Sequence, residues 1–273
     1  MKKDSKIDKK RSKFFDKILL AAGIVFIGIF CVSGYMLLKY YGEYREQKKL
    51  DESIAGLRQA EAMDTKGDSL MGNSGNGEKE QKDNSRLKEI NADYIGFITI
   101  PDTNVYYPVV RRDNSYYLYH DFMGEKNSHG TIFMDEGCEP EDTVVLIHGH
   151  HMKDGTMFGP LKNFKKKEFR EEHEILYLDW GEGDQPYEIF AAALIDLTQE
   201  DYFTYEVLPA TEEETKRYLK ELKQNSFYFR DLNKVEQGQI VLLSTCEYGT
   251  EQQRLVIAAV SKNRGAAVAP EEE

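Results

Sequence analysis

Between Ile18 and Leu38 the chain reads ILLAAGIVFIGIFCVSGYMLL, 21 residues without one charged side chain. As a helix rising about 1.5 Å per residue this run spans about 31 Å, close to the roughly 30 Å of a bilayer's hydrocarbon. A helix satisfies its backbone groups internally, as lipid demands. Asp16 and Lys17 bound the run on one side and Lys39 on the other. The preceding residues 1–13 carry seven Lys or Arg against Asp4 and Asp8, a net +5. The positive-inside rule therefore expects a cytoplasmic N-terminus and a body outside the membrane. The run is longer than a usual cleavable h-region and no A-x-A-like site follows it, so a retained signal anchor is expected. This sets a basic cytoplasmic segment at 1–17 and a transmembrane anchor at 18–38.

Residues 39–86 read as a stalk and flexible linker. Leu50, Ile54 and Leu57 stand at helical spacing in a charged stretch. The following KGDSLMGNSGNGEKEQKDNS, residues 66–85, has little to bury. Residues 263–273 read as a disordered acidic tail. The formal charge is −12, so everything after residue 13 sums to −17. A body that acidic does not suit nucleic acid, whose phosphates need a basic surface.

From Tyr94 onward eight strand-like runs follow: YIGFITI, VYYPVV, TIFM, TVVLIH, ILYLD, YEIFAAALI, QIVLLST and RLVIAAV. Turn sequences separate most of them. Many short strands with few helices between them imply a mainly β barrel or sandwich with peripheral helices. Thr211 and Glu214 form a capping-box pattern that predicts a helix through Tyr218, Leu219 and Leu222 to about Gln224. A second helical stretch is expected over Leu161 to Glu171.

Two segments concentrate reactive side chains. In QIVLLSTCEYGTEQQRLVIAAV, residues 239–260, two apolar strands flank a polar loop. Paired as a hairpin, they set Cys246 opposite Arg254 at one end of the sheet. A cationic neighbour lowers a thiol's pKa towards the reactive thiolate, and a guanidinium donates planar hydrogen bonds to a developing oxyanion. In TVVLIHGHHMKDGTMFGPL, residues 143–161, a strand runs through Gly149 into His150. Histidine is the usual proton manager for a cysteine nucleophile. These residues also leave other arrangements open. Cys246 is equally readable as a buried small hydrophobe, Cys138 and Cys246 as a disulfide, and His148 with His150 as a zinc-chelating pair.

Together the two segments resemble the sortase family, and its class B branch in particular. Leu242-Leu243-Ser244-Thr245-Cys246 is similar to the family's T-L-x-T-C nucleophile motif, with Leu242 in place of the first Thr. Arg254 stands on the following strand, where the family has its Arg. Gly149-His150 matches the Gly before the family's catalytic His. Lys153-Asp154-Gly155-Thr156-Met157-Phe158, Gly96-Phe97-Ile98-Thr99-Ile100-Pro101, Asp113-Asn114-Ser115-Tyr116-Tyr117-Leu118 and the helix near 211–224 resemble class B sequences. The likeness covers about Leu87 to Lys262.

The resemblance implies a sortase-like eight-stranded β-barrel at 87–262 on the outer face of a Gram-positive membrane. It implies a cysteine transpeptidase that cleaves a C-terminal sorting motif of exported proteins after Thr, through a thioester on Cys246. The acyl group then passes to the amine of a peptidoglycan precursor, or to a pilin lysine. His150 and Arg254 complete the catalytic set. Asn114, Leu118, Ser244, Thr245 and Glu247 are the substrate-binding candidates by motif position. The scheme requires no metal or organic cofactor. Its rivals are a cysteine endopeptidase with hydrolytic resolution, a catalytically inactive membrane-tethered binding domain and a metallohydrolase.

Overall fold

The computed structural model describes residues 4–68, 85–200, 203–231, 238–247 and 250–261. The expected acidic tail and nearly all of the expected linker at 66–85 lie outside these residues. Two compact units make up the chain, Met1–Lys48 and Lys49–Glu273.

The first unit is helical. Helix α1 (Asp4–Asp68) contains the apolar run, whose large side chains from Leu19 to Leu38 are exposed. Among the described residues it is the one helix long and apolar enough to cross a membrane.

The second unit is a barrel. Strands β1 (Tyr94–Thr99), β2 (Tyr106–Arg111), β3 (Ile132–Met134), β4 (Val144–His148), β5 (Ile175–Asp179), β6 (Gln185–Asp196), β7 (Ser226–Phe229), β8 (Ile240–Glu247) and β9 (Thr250–Ser261) form one sheet. Their order is β5-β1-β2-β3-β4-β8-β9-β6-β7, and an added β5–β6 pairing closes the first eight into a ring. All eight expected strands are present in that ring. Strand β7, which the sequence reading did not anticipate, pairs outside it on β6. Closure leaves the ring strands no open edge.

The β2–β3 and β4–β8 pairs are parallel and the rest are antiparallel. A parallel pair needs a long crossover. Everything from residue 149 to 239 serves as that connection between β4 and β8. Both faces of β8 are filled: Ile240 through Leu243 are fully buried, and so are Leu255 through Ala259 on β9. Such continuous apolar runs are what a doubly covered strand requires.

The helix expected from the capping box is α4 (Glu212–Asn225). Thr211 accepts from the Glu214 amide while the Glu214 carboxylate accepts from the Thr211 amide. Its buried Thr215, Tyr218, Leu219 and Leu222 follow the i, i+3, i+4, i+7 pattern. The helical stretch expected over Leu161 to Glu171 is present as two pieces, a 3₁₀ helix at Gly159–Lys165 and α3 (Lys167–Glu172), parted by Lys166 in extended conformation. Buried Leu161 and Phe164 lie three residues apart, the period of a 3₁₀ turn.

Part of the expected stalk belongs to the second unit. Ile54 is buried, and Leu50 and Leu57 pack beside it, in a cluster with Leu87, Tyr94, Phe97, Val110, Tyr117, Phe122 and Phe133. Arg58 lies in the same unit. Its guanidinium donates to Asp179 and Asp184 and sits 4.2 Å from the Phe97 ring centre. The short helix α2 (Ser85–Ile90) brings in Leu87.

Candidate active site

Strand β8 is the centre of the site, with β4 on one side and β9 on the other. In the β8–β9 hairpin Cys246 is the direct register partner of Arg254, just before a shift at Glu247, which pairs with Thr250. In the parallel β4–β8 pair His148 is the partner of Ser244. The Gly149 amide extends the pairing by donating to the Ser244 carbonyl at 3.1 Å. Two residues beyond the His148–Ser244 pair stand His150, in the turn after β4, and Cys246, on β8. Strands β8 and β9, about 4.8 Å apart, and the turn that leaves β4 after His148 thus bring Cys246, Arg254 and His150 to the same end of the barrel.

The backbone around His150 is tightly held. A Cβ on Gly149 would come within 2.4 Å of Ile132 Cδ1 and 2.7 Å of the Phe158 ring, so only glycine lets the chain turn out of β4 here. The Phe158 amide donates to the His150 carbonyl, and His151 pairs with Met157 across the turn. Within this loop Asp154 accepts from the Thr156 amide and hydroxyl and contacts buried His129 Nε2 at 3.1 Å. Burial pushes the Asp154 carboxyl up, but these hydrogen bonds outweigh it and hold the group below the usual range.

The half-buried His150 ring places Nε2 at 2.7 Å from the Leu118 carbonyl oxygen. A carbonyl only accepts, so Nε2 carries the hydrogen. Nδ1 is the nitrogen left to take up and give back a proton. Arg254 is half-buried and its Nη1 donates to the Gln253 carbonyl at 3.3 Å.

The substrate-binding candidates occupy different surroundings. Leu118 meets His150 through its carbonyl, and its side chain packs on the cluster that holds Ile54 and Leu87. Ser244 is buried, its hydroxyl 3.0 Å from the Tyr205 hydroxyl. Thr245 is buried with no hydrogen-bond partner for its hydroxyl among the described residues. Asn114 is engaged at both ends of its amide, donating to Asp135 at 2.8 Å and accepting from the Glu136 amide. Glu247 stands at the register shift after Cys246.

Sequence reasoning missed several neighbours. Tyr205 buttresses Ser244, and burial pushes its phenol far up despite Arg254 nearby. Its own carbonyl accepts from Tyr218 of α4 at 2.7 Å. Asp135 accepts from both Asn114 and His148, and the His148 bond holds its carboxyl below the usual range against the opposing effect of burial. None of these contacts had a local sequence signal, since each joins residues far apart in the chain. Cys138 is a free, buried thiol, so the disulfide reading falls away.

A closed eight-stranded barrel that pairs a cysteine with an arginine on adjacent strands, with a histidine in the turn after the next strand, points to one class, and comparison with known proteins agrees. The model of the Sortase domain matches residues 98–262, and the chain belongs to the sortase family, whose members are cysteine transpeptidases. Within that family its relatives are of the B class. It is 32% identical over 240 residues to Sortase B of Listeria monocytogenes, covering 86% of this chain and 92% of that protein. The crystal structure of Staphylococcus aureus sortase B matches with a TM-score of 0.64 at 27% identity, covering 77% of this chain and 97% of that one. A sortase B–substrate complex from the same organism matches with a TM-score of 0.62 at 27% identity, over 76% and 93% of the two chains.

Proposed function

We propose that this chain is a membrane-anchored sortase that works outside the cell, with Cys246 as nucleophile, His150 as acid and base, and Arg254 as oxyanion and substrate donor. Two observations support this reading: Cys246 is paired with Arg254 on β9, and Cys246 and His150 each lie two residues beyond the His148–Ser244 pair. The apolar part of α1 supports the anchor, and the basic residues before it support a cytoplasmic N-terminus.

In the first half-reaction the Cys246 thiolate attacks the Thr carbonyl carbon of a sorting peptide. Negative charge builds on the carbonyl oxygen, where the Arg254 guanidinium donates to it. The C–N bond then breaks, His150 gives its proton to the departing amine, and a thioester remains on Cys246. In the second, an acceptor amine attacks the thioester and passes a proton to His150. The C–S bond breaks, the thiolate is restored and a new amide is released. The acceptor is the amine of a peptidoglycan precursor or a pilin lysine. With Nε2 donating to the Leu118 carbonyl, Nδ1 handles both protons.

The test is intact-mass spectrometry of the full chain in detergent, incubated with a panel of sorting-type peptides and an amine acceptor. Expected is an acyl adduct localised to Cys246 that converts to peptide–amine product and disappears in Cys246→Ala. Turnover that persists in Cys246→Ala would overturn the assignment. An adduct that yields only free acid at saturating amine would make the enzyme an endopeptidase.

A further inference from the structure

The proton role assigned to His150 depends on which ring nitrogen holds its hydrogen, and one backbone carbonyl, that of Leu118, sets this. What holds that carbonyl is the residue before it. Tyr117, one residue earlier, is 2% exposed and sits in the cluster that contains Ile54, Leu87, Tyr94 and Phe122. Its hydroxyl donates to Asp93 Oδ2 at 2.8 Å and accepts from Asn91 Nδ2 at 3.0 Å. Asn91 is fixed in turn, donating to the Phe122 carbonyl and accepting from the Asp93 amide. At the other end of the residue, the Tyr117 carbonyl accepts from the Thr131 amide at 3.0 Å.

Gly130 closes this arrangement against the catalytic ring. At φ +62° it occupies the left-handed region, and a Cβ there would fall 2.4 Å from the Tyr117 oxygen, 3.1 Å from the Leu118 oxygen and 3.2 Å from His150 Cδ2. Two carbonyls and the imidazole therefore pack directly on this glycine. Little slack remains between where Tyr117 is pinned and where His150 is held.

We propose that Tyr117 is a positioning residue for catalysis: its hydroxyl, clamped by Asn91 and Asp93, fixes the Leu118 carbonyl that selects the Nε2–H form of His150. Tyr117 is 2% exposed, with its ring in the apolar cluster and its hydroxyl on Asn91 and Asp93. Its effect reaches the chemistry through one peptide unit and one hydrogen bond. This inference rests on the reading of His150 as acid and base.

The experiment uses the full chain in detergent or nanodiscs with a cleavable sorting-type peptide. Tyr117→Phe removes one oxygen and keeps the ring. Losing a hydrogen bond's worth of positioning, it should lower kcat about three- to tenfold with KM unchanged. In ¹⁵N-histidine-labelled protein, the Nε2–H proton resonance, assigned by its loss in His150→Ala, should be sharp in the wild type and broadened or absent in Tyr117→Phe. Asp93→Ala, which removes the acceptor from a half-exposed position, should change kcat and the resonance in the same direction and guards against misfolding of the first variant. Unchanged kcat and an unchanged Nε2–H resonance, even with a lower melting temperature, would reduce Tyr117 to a packing residue and overturn the inference. The reading beneath it fails separately, if His150→Ala turns over like the wild type.

Discussion

Arg58 offers the sharpest test of how the second unit is held together. The perturbation is Arg58→Leu. In the folded protein the guanidinium is 5% exposed and donates to Asp179 Oδ2 at 3.0 Å and to Asp184 Oδ1, while stacking over Phe97. Burial works against its charge, and the two aspartates outweigh that effect. Asp179 is 0% exposed, so water does not take over when the guanidinium goes; Asp184, at 39%, is solvated already. Stranding one partner of a buried pair costs about 3–5 kcal/mol. Asp179 keeps the Gly181 and Gly183 amides, both donating at 2.8 Å, which favours the low end, about 3 kcal/mol. For a body of this size that is a fall of about 6–12 °C in melting temperature.

The chain has a single tryptophan, Trp180, next to Asp179. Urea titration of the full chain in detergent, followed by its fluorescence, therefore reports unfolding where the pair is broken. Arg58→Leu/Asp179→Asn supplies the control. Asn still accepts from both glycine amides but carries no charge, so the double variant should recover about 2 kcal/mol of the loss. A loss below about 1 kcal/mol in Arg58→Leu, or no recovery in the double variant, would refute the claim that Arg58 neutralises a buried carboxylate.

Three further outcomes follow from the site. Gly149→Ala should cost about 1–3 kcal/mol of stability through the clash with Ile132 and Phe158. It should also cut kcat more than tenfold by moving His150, and wild-type kcat would show that the turn is not needed to place the ring. The Asp135 carboxyl is held low in the folded protein, chiefly by His148. Its contribution is thus present above the unfolded value of about 3.9 and is lost as pH falls through the lower folded value. The stability gap between wild type and Asp135→Asn should therefore be fully open at pH 6 and narrow progressively as pH falls below about 4; a gap independent of pH would refute it. Cys138, whose thiol burial pushes up to about 11, should resist iodoacetamide at pH 8 in the native protein. Cys138→Ala should keep kcat/KM within about twofold, and inactivation would mean the thiol takes part in the reaction.

The strands and the reactive residues were legible because their signals are local. Apolar periodicity marks β8 and β9 as strands wherever they pack. The Thr211–Glu214 box starts α4 through contacts three residues long. The chemistry of Cys246, His150 and Arg254 belongs to the residue types and their order. The sequence alone thus determined the eight ring strands, the capped helix, the apolar helix long enough to cross a membrane and the identity of the candidate catalytic set.

Where long-range geometry decided, sequence was silent. Nothing local says that β4 and β8, about a hundred residues apart, lie parallel in the register that pairs His148 with Ser244. Nor does it say that β5 pairs with β6 to close the ring, that Arg58 neutralises Asp179 across 121 positions, or that Leu118 presents its carbonyl to His150. The broken helix near Lys166 and the extra strand β7 belong with these, because packing against the barrel selected them over local propensity. A backbone period encodes which face of an element is apolar, but not which distant partner covers it. That choice is made when the core closes, by burial and by the need to satisfy each charge and carbonyl taken out of water.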